Sequence, residues 1–136
     1  MTEQKISHVK VSGKVKYAQD ITVRGHHLRA DEPVSAGGED TGPGPYDFLL
    51  AGLGACTAIT LRMLAEKKGW ELGEIGVDLT LFKDENRADR IERRVGFTAQ
   101  LSPEQLSKIA EVCERTPVTL TIKQGAPITT RLIAAS

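Results

Sequence analysis

The sequence predicts an α+β fold: a mainly antiparallel sheet, a long central helix carrying Cys56 and a second helix, all in one domain over residues 1–136. Three observations carry this expectation. Period-two alternation recurs at the start, in the middle and at the end of the chain, a long apolar run follows a Gly/Pro-rich loop, and a later segment has helical i, i+3, i+4, i+7 spacing. A chain of 136 residues buries one ordinary core, and nothing in its length calls for a second. Eighteen basic against eighteen acidic residues give a formal net charge of zero. Neither nucleic acid nor an anionic membrane surface is therefore expected as a partner.

Val9 and Val11, Val15 and Tyr17, and Ile21 and Val23 alternate between His8 and Arg24, with breaks at Gly13 and at Gln19 and Asp20. They predict antiparallel strands with one covered face. A short strand from His27 to Ala30 follows, then the loop DEPVSAGGEDTGPGP, whose Pro and Gly content forbids regular structure. Pro45 suits a first helical position and Asp47 the first turn, while Lys67, Lys68 and Gly69 mark the helix end. Gly52 and Gly54, with Ala51 and Ala55, make a narrow surface that another helix or a sheet should approach closely.

After Trp70, Ile75 to Phe82 and Ile91 to Leu101 read as a hairpin joined by KDENRADR. Arg87, Arg90, Arg93 and Arg94, interleaved with acidic residues, read as its solvated surface. Ser102, Pro103 and Gln105 form a helix start of capping-box type, and Leu106, Ile109, Ala110 and Cys113 make the apolar stripe. Pro117 ends that helix near Arg115. Val118 to Lys123 and Ile128 to Ile133 are expected as closing strands around a turn at Gln124 to Pro127.

The N-terminus has no apolar stretch of signal-peptide type, so a cytoplasmic location is expected. The apolar run Phe48 to Leu61 is 14 residues, short of the roughly 20 that cross a bilayer. Two cysteines in a reducing compartment argue for buried or redox-active roles rather than a disulfide. No Cys or His spacing resembles a zinc site, and no metal or other cofactor is expected.

Helical geometry puts Leu49, Gly52, Leu53, Ile59, Thr60 and Met63 on the face of Cys56. The thiol is then either a small buried hydrophobe or a nucleophile in an apolar setting, and only a nearby cation favours the second. The helix dipole fades within the first turn and Arg62 projects about 120° away. Arg24 and Arg29 of the N-terminal strands are the candidates, Arg24 first. Cys113 is either a core residue or a thiol that resolves a sulfenic acid on Cys56.

The stretch GGEDTGPGPYDFLLAGLGACTAITLRM, with RADEP before it and AEKKGW after, resembles the OsmC/Ohr family of osmotically inducible protein C and organic hydroperoxide resistance proteins. It is most similar to the OsmC-like branch, whose core reads roughly GPxPYELLLAALGACT. The resemblance runs from about residue 8 to residue 132. It implies an OsmC-like fold and an intertwined homodimer with the long helices packed centrally. It also implies a thiol-dependent peroxidase for organic hydroperoxides, in which Cys56 attacks the peroxide, a second cysteine resolves it and a dithiol reductant restores it. Leu49, Leu53, Ile59 and Met63 would then contact the substrate. Two positions depart from the family pattern. Thr116 stands where the family has its resolving cysteine, with Cys113 three residues earlier. Tyr46 stands where hydroperoxide resistance members carry a carboxylate, so that Tyr46 supplies a phenolic hydroxyl or Asp47 serves in its stead, unless Asp47 is only a helix-end carboxylate. These departures motivate the alternative of a non-enzymatic OsmC-like protein that binds a small apolar ligand or a protein partner.

Overall fold

The computed structural model describes residues 2–135. They form two compact units, residues 2–51 and 52–135, whose boundary falls inside the long helix. The class is α+β with antiparallel pairing throughout.

The first unit holds a three-stranded sheet in the order β1 (Lys10–Ser12), β2 (Gln19–Val23), β3 (His26–Ala30). Asp20 and Arg29 face each other across β2 and β3, and their side chains form an ion pair at 3.2 Å. Two expectations are corrected here. Val15 and Tyr17 lie in a bend and turn, where Lys16 has φ 52°. Arg24 belongs to the tight β2–β3 turn, with φ 47° ahead of Gly25 at φ 84°, the backbone that a two-residue hairpin needs.

The loop that follows is organised by Asp31, which the sequence reading passed over. Its buried carboxylate accepts hydrogen bonds from the Glu32 and Thr41 backbone N–H groups and from the Thr41 hydroxyl, at 2.7, 3.1 and 2.7 Å. The hydroxyl bond, foremost among these, holds the carboxyl below its usual range. Gly44 leads into α1 (Pro45–Lys68), and Asp47 Oδ2 accepts from the Gly44 N–H at 2.8 Å. Asp47 thus closes the helix start. At the other end Gly69 is left-handed and the Trp70 N–H reaches the Ala65 carbonyl, a Schellman stop.

In the second unit β4 (Ile75–Lys83) and β5 (Asp89–Phe97) pair antiparallel, a hairpin whose loop is pinned by Asp84 Oδ1 accepting from the Asn86 and Ala88 N–H groups. β5 stops at Phe97 rather than Leu101, because the chain bends where the Thr98 hydroxyl accepts from the Glu74 N–H. The capping box forms as expected at Ser102 and Gln105 and starts α2 (Pro103–Cys113). Leu61, Ala65, Leu72, Ile109 and Cys113 make the core.

Both closing strands are corrected. Val118 to Lys123 lies within α3 (Pro117–Gln124), with Thr116 as its N-cap. Pro117 suits a first helical position, and residues 116, 119 and 122 share the inward face, so helical packing overrides the β-branched composition. Ile128 to Ile133 has no regular structure, and Leu132 and Ile133 are 94% exposed. A strand needs a ladder partner, and none is present among the described residues.

Candidate functional site

The two faces of α1 have different surroundings within the second unit. Leu53, Gly54, Thr57, Leu61 and Ala65 are buried, an arc that begins about 60° around the helix from Cys56. A Cβ on Gly54 would come within 2.7 Å of Leu79 on β4, so the close neighbour expected for the small residues is a sheet. Gly52 has nothing within 4 Å of such a position. Gly52, Ala55, Ile59 and Met63 form the opposite, exposed arc, with Ile59 54% and Met63 63% exposed. Cys56 sits half-buried at the border between the two, its Sγ 4.0 Å from Thr60 Oγ1. The shared face is therefore split: Leu53 turns inward, and Ile59 and Met63 stay on the open side with Gly52. The helix is long and apolar enough to cross a membrane, with mean hydropathy 1.7, and a helix with two apolar arcs has that composition without spanning one.

Arg93, expected from the sequence on the solvated surface of the hairpin, is instead bonded to Thr57, the residue after Cys56 on α1. Its side chain is only 13% exposed. Nη1 donates to Thr57 Oγ1 at 3.0 Å and to Thr119 Oγ1 at 2.8 Å, and Nη2 donates to the Cys113 carbonyl at 2.8 Å. The Glu114 carboxylate lies 3.7 Å away. One guanidinium thus ties β5 to α1, to α3 and to the end of α2. The alternation in β5 was the signal that could have found it, because Ile91, Arg93, Val95 and Phe97 share the less exposed face.

Cys113 is buried in the core with Leu61, Ala65, Leu72 and Ile109. Leu61 and Ala65 lie about 140° and 180° around α1 from Cys56, so the two thiols are not brought together. Burial raises the Cys113 thiol pKa, with the Arg93 charge acting against it. Thr116, at the expected place of a resolving cysteine, is buried, and its hydroxyl shares a 2.6 Å hydrogen bond with Thr119 Oγ1. Unwinding the end of α2 to deliver Cys113 elsewhere breaks the bond from Arg93 to its carbonyl. Hydrogen bonds to charged groups are worth about 1.5–3 kcal/mol each.

An open pocket of about 530 Å³ lies beside this cluster, with Leu53, Ile91 and Ile122 as its apolar wall and Arg93, Glu114 and Lys123 among its polar groups. Lys123 pairs with Glu114 at 2.7 Å and is the main reason that the Glu114 carboxyl is held below its usual range. A smaller cleft of about 290 Å³ runs between β5 and α2 and touches Cys113. Cys56 lines neither. Arg24, Arg29, Tyr46, Asp47 and Leu49 all belong to the first unit, where Arg29 is paired with Asp20 and Asp47 closes the helix start. Among the described residues no three His, Cys, Asp or Glu side chains cluster to hold a metal.

The sequence profile described as OsmC-like protein matches residues 37–131. No curated protein sequence matches the chain significantly. Several solved structures share its fold. An OsmC-like protein from Mycoplasma pneumoniae superposes with TM-score 0.77 at 18% identity, over 89% of each chain. An organic hydroperoxide resistance protein OsmC from Legionella pneumophila gives 0.63 at 19%, over 90% of this chain and 92% of that one. The organic hydroperoxide resistance protein OhrB of Bacillus subtilis gives 0.59 at 24%, over 86% and 90%. The profile spans most of the chain, including α1 with Cys56 and the α2–α3 junction, and the chain belongs to the OsmC-like protein family.

Proposed function

We propose that the protein is a thiol-dependent peroxidase that reduces organic hydroperoxides, with Cys56 as the attacking thiol. The observation that carries this reading is a half-buried thiol at the edge of an open apolar arc, inside the stretch that matches the family. Two proteins of the same fold are named for organic hydroperoxide resistance, which supports the substrate class. In the reaction the Cys56 thiolate attacks the terminal peroxide oxygen and the O–O bond breaks. The alkoxide leaves and takes up a proton to become the alcohol, and the sulfur, oxidised by two electrons, becomes a sulfenic acid. An apolar wall of Ile59 and Met63 suits an alkyl hydroperoxide better than hydrogen peroxide. The same exposed arc supports a homodimer in which a second copy covers part of α1.

The test is consumption of tert-butyl hydroperoxide with dithiothreitol as reductant, comparing the wild type with Cys56→Ser. Turnover lost in the variant is expected, and equal rates would refute the reading. The pocket walled by Leu53, Ile91 and Ile122 favours a second reading, binding of a small apolar ligand without turnover. Unmodified protein after one equivalent of hydroperoxide would support it.

A further inference from the structure

We infer that the pocket beside Arg93 binds a small amphipathic monoanion, an alkyl carboxylate whose head group meets Arg93 and Lys123 and whose chain lies along Leu53, Ile91 and Ile122. The inference is independent of the peroxidase reading, and it gives the ligand of this pocket a charged head. Two observations carry it, one from hydrogen bonding and one from charge.

A guanidinium has five N–H bonds and no acceptor. Arg93 uses three of them, on Thr57, Thr119 and the Cys113 carbonyl. The carboxylate oxygen paired with it, Glu114 Oε2, is 3.7 Å from Nη2, too far for a hydrogen bond. Among the described residues, Nε–H and one Nη2 hydrogen therefore have no acceptor. They belong to a side chain that is only 13% exposed and that lines a pocket of about 530 Å³.

The charges around the pocket do not cancel. Arg93 and Lys123 share one counter-ion, Glu114, which lies 2.7 Å from Lys123 and 3.7 Å from Arg93. Asp89, also on the pocket wall, is bound to Lys83 at 2.6 Å, a pair with no net charge. Two cations against one carboxylate leave a single positive charge. A monoanion balances it, which favours a carboxylate over a phosphomonoester carrying about −1.5 to −2 at pH 7. A carboxylate also accepts from two N–H groups at once. The apolar lining is Leu53, Ile91 and Ile122, with no aromatic ring, and it suits an alkyl chain. Leu53 belongs to the buried arc of α1, not to the Gly52, Ile59 and Met63 arc on which a second copy is proposed to pack. Cys56 does not line the pocket, so the carboxylate is held there as a ligand and is not a reactant of the thiol.

The experiment titrates the full chain with octanoate by calorimetry, with octan-1-ol as the uncharged analogue and octyl phosphate as the dianion. Octanoate should bind at least about 10-fold tighter than octan-1-ol, the margin of one charge-assisted hydrogen bond, and tighter than octyl phosphate. Lys123→Gln, at an exposed position, removes one cation and should weaken octanoate by about 3-fold. Glu114→Gln removes the competing carboxylate and should tighten it by about the same factor. Neither change should move octan-1-ol. In nitrogen-15 NMR spectra, octanoate should shift the Arg93 Nε–H and the Thr119 and Ile122 amides, and Cys56→Ser should bind it like the wild type. Octanoate that binds no tighter than octan-1-ol overturns the inference, as does tighter binding of octyl phosphate. So do weakening in both Lys123→Gln and Glu114→Gln, which a packing role alone would give, and loss of binding in Cys56→Ser, which puts the ligand at the thiol. Each of these results leaves the peroxidase reading standing, and failure of the hydroperoxide assay leaves this inference standing.

Discussion

Replacing Arg93 with methionine removes the guanidinium and keeps most of the volume of its stem. Thr57 Oγ1 retains its bond to the Leu53 carbonyl, and Thr119 Oγ1 retains Thr116. The Cys113 carbonyl, by contrast, loses the one side-chain donor described for it. A buried acceptor without a partner costs about 1–3 kcal/mol, and release from the desolvation of a largely buried cation offsets part of the further loss. The expected net destabilisation is about 2 kcal/mol, which lowers the melting temperature by about 7 °C in a chain of this length. Arg94→Met is the control, because Arg94 is on the exposed face of the same strand and such positions usually stay within about 0.5 kcal/mol. Thermal and urea unfolding measure the difference. Alkylation of Cys113 by iodoacetamide adds a local readout, since a loss of about 2 kcal/mol confined to the α2–α3 junction speeds labelling by about 30-fold. If Arg93→Met melts like Arg94→Met and Cys113 labels no faster, Arg93 does not hold the junction.

Asp31→Asn tests the loop of the first unit. Because the folded-state pKa of Asp31 is lowered, its ionised form stabilises the fold above about pH 4, the unfolded-chain value, and that contribution fades as pH falls through the lower folded value. The stability difference between wild type and variant should be larger at pH 7 than at pH 3, and equal differences in urea unfolding would refute the assignment. Ile59→Asp places a charge on the exposed arc of α1, and if a second copy packs on that arc as proposed, sedimentation should report a dimer for the wild type and a monomer for the variant. A variant that remains dimeric would remove this arc from the interface.

Part of the molecule was legible in local sequence chemistry. The start of α1 follows from Gly44, Pro45 and Asp47, its end from Lys67, Lys68 and Gly69, and the start of α2 from Ser102, Pro103 and Gln105. Each of these signals acts within one helical turn, so no distant partner is needed to read it. The β4–β5 hairpin was legible because alternation and a turn-forming loop agree. The tail from Ile128 to Ile133 alternates equally well, but alternation only describes a face, and a strand also needs a neighbour to bond. In Val118 to Lys123 the β-branched residues obscured a helix start that Thr116 and Pro117 already signalled.

The sequence by itself determined the family, the helix that carries Cys56, and the apolar character of its surroundings, because these depend on composition and period along one element. Only the tertiary structure decided which neighbours the thiol has. It placed Arg93, one of four arginines alike in sequence, inside the second unit at the end of α2, and it set Cys113 in the core away from Cys56. Such choices depend on which side chains converge from separate elements, and the burial that results determines whether a thiol or a guanidinium is a surface group or part of a bonded interior.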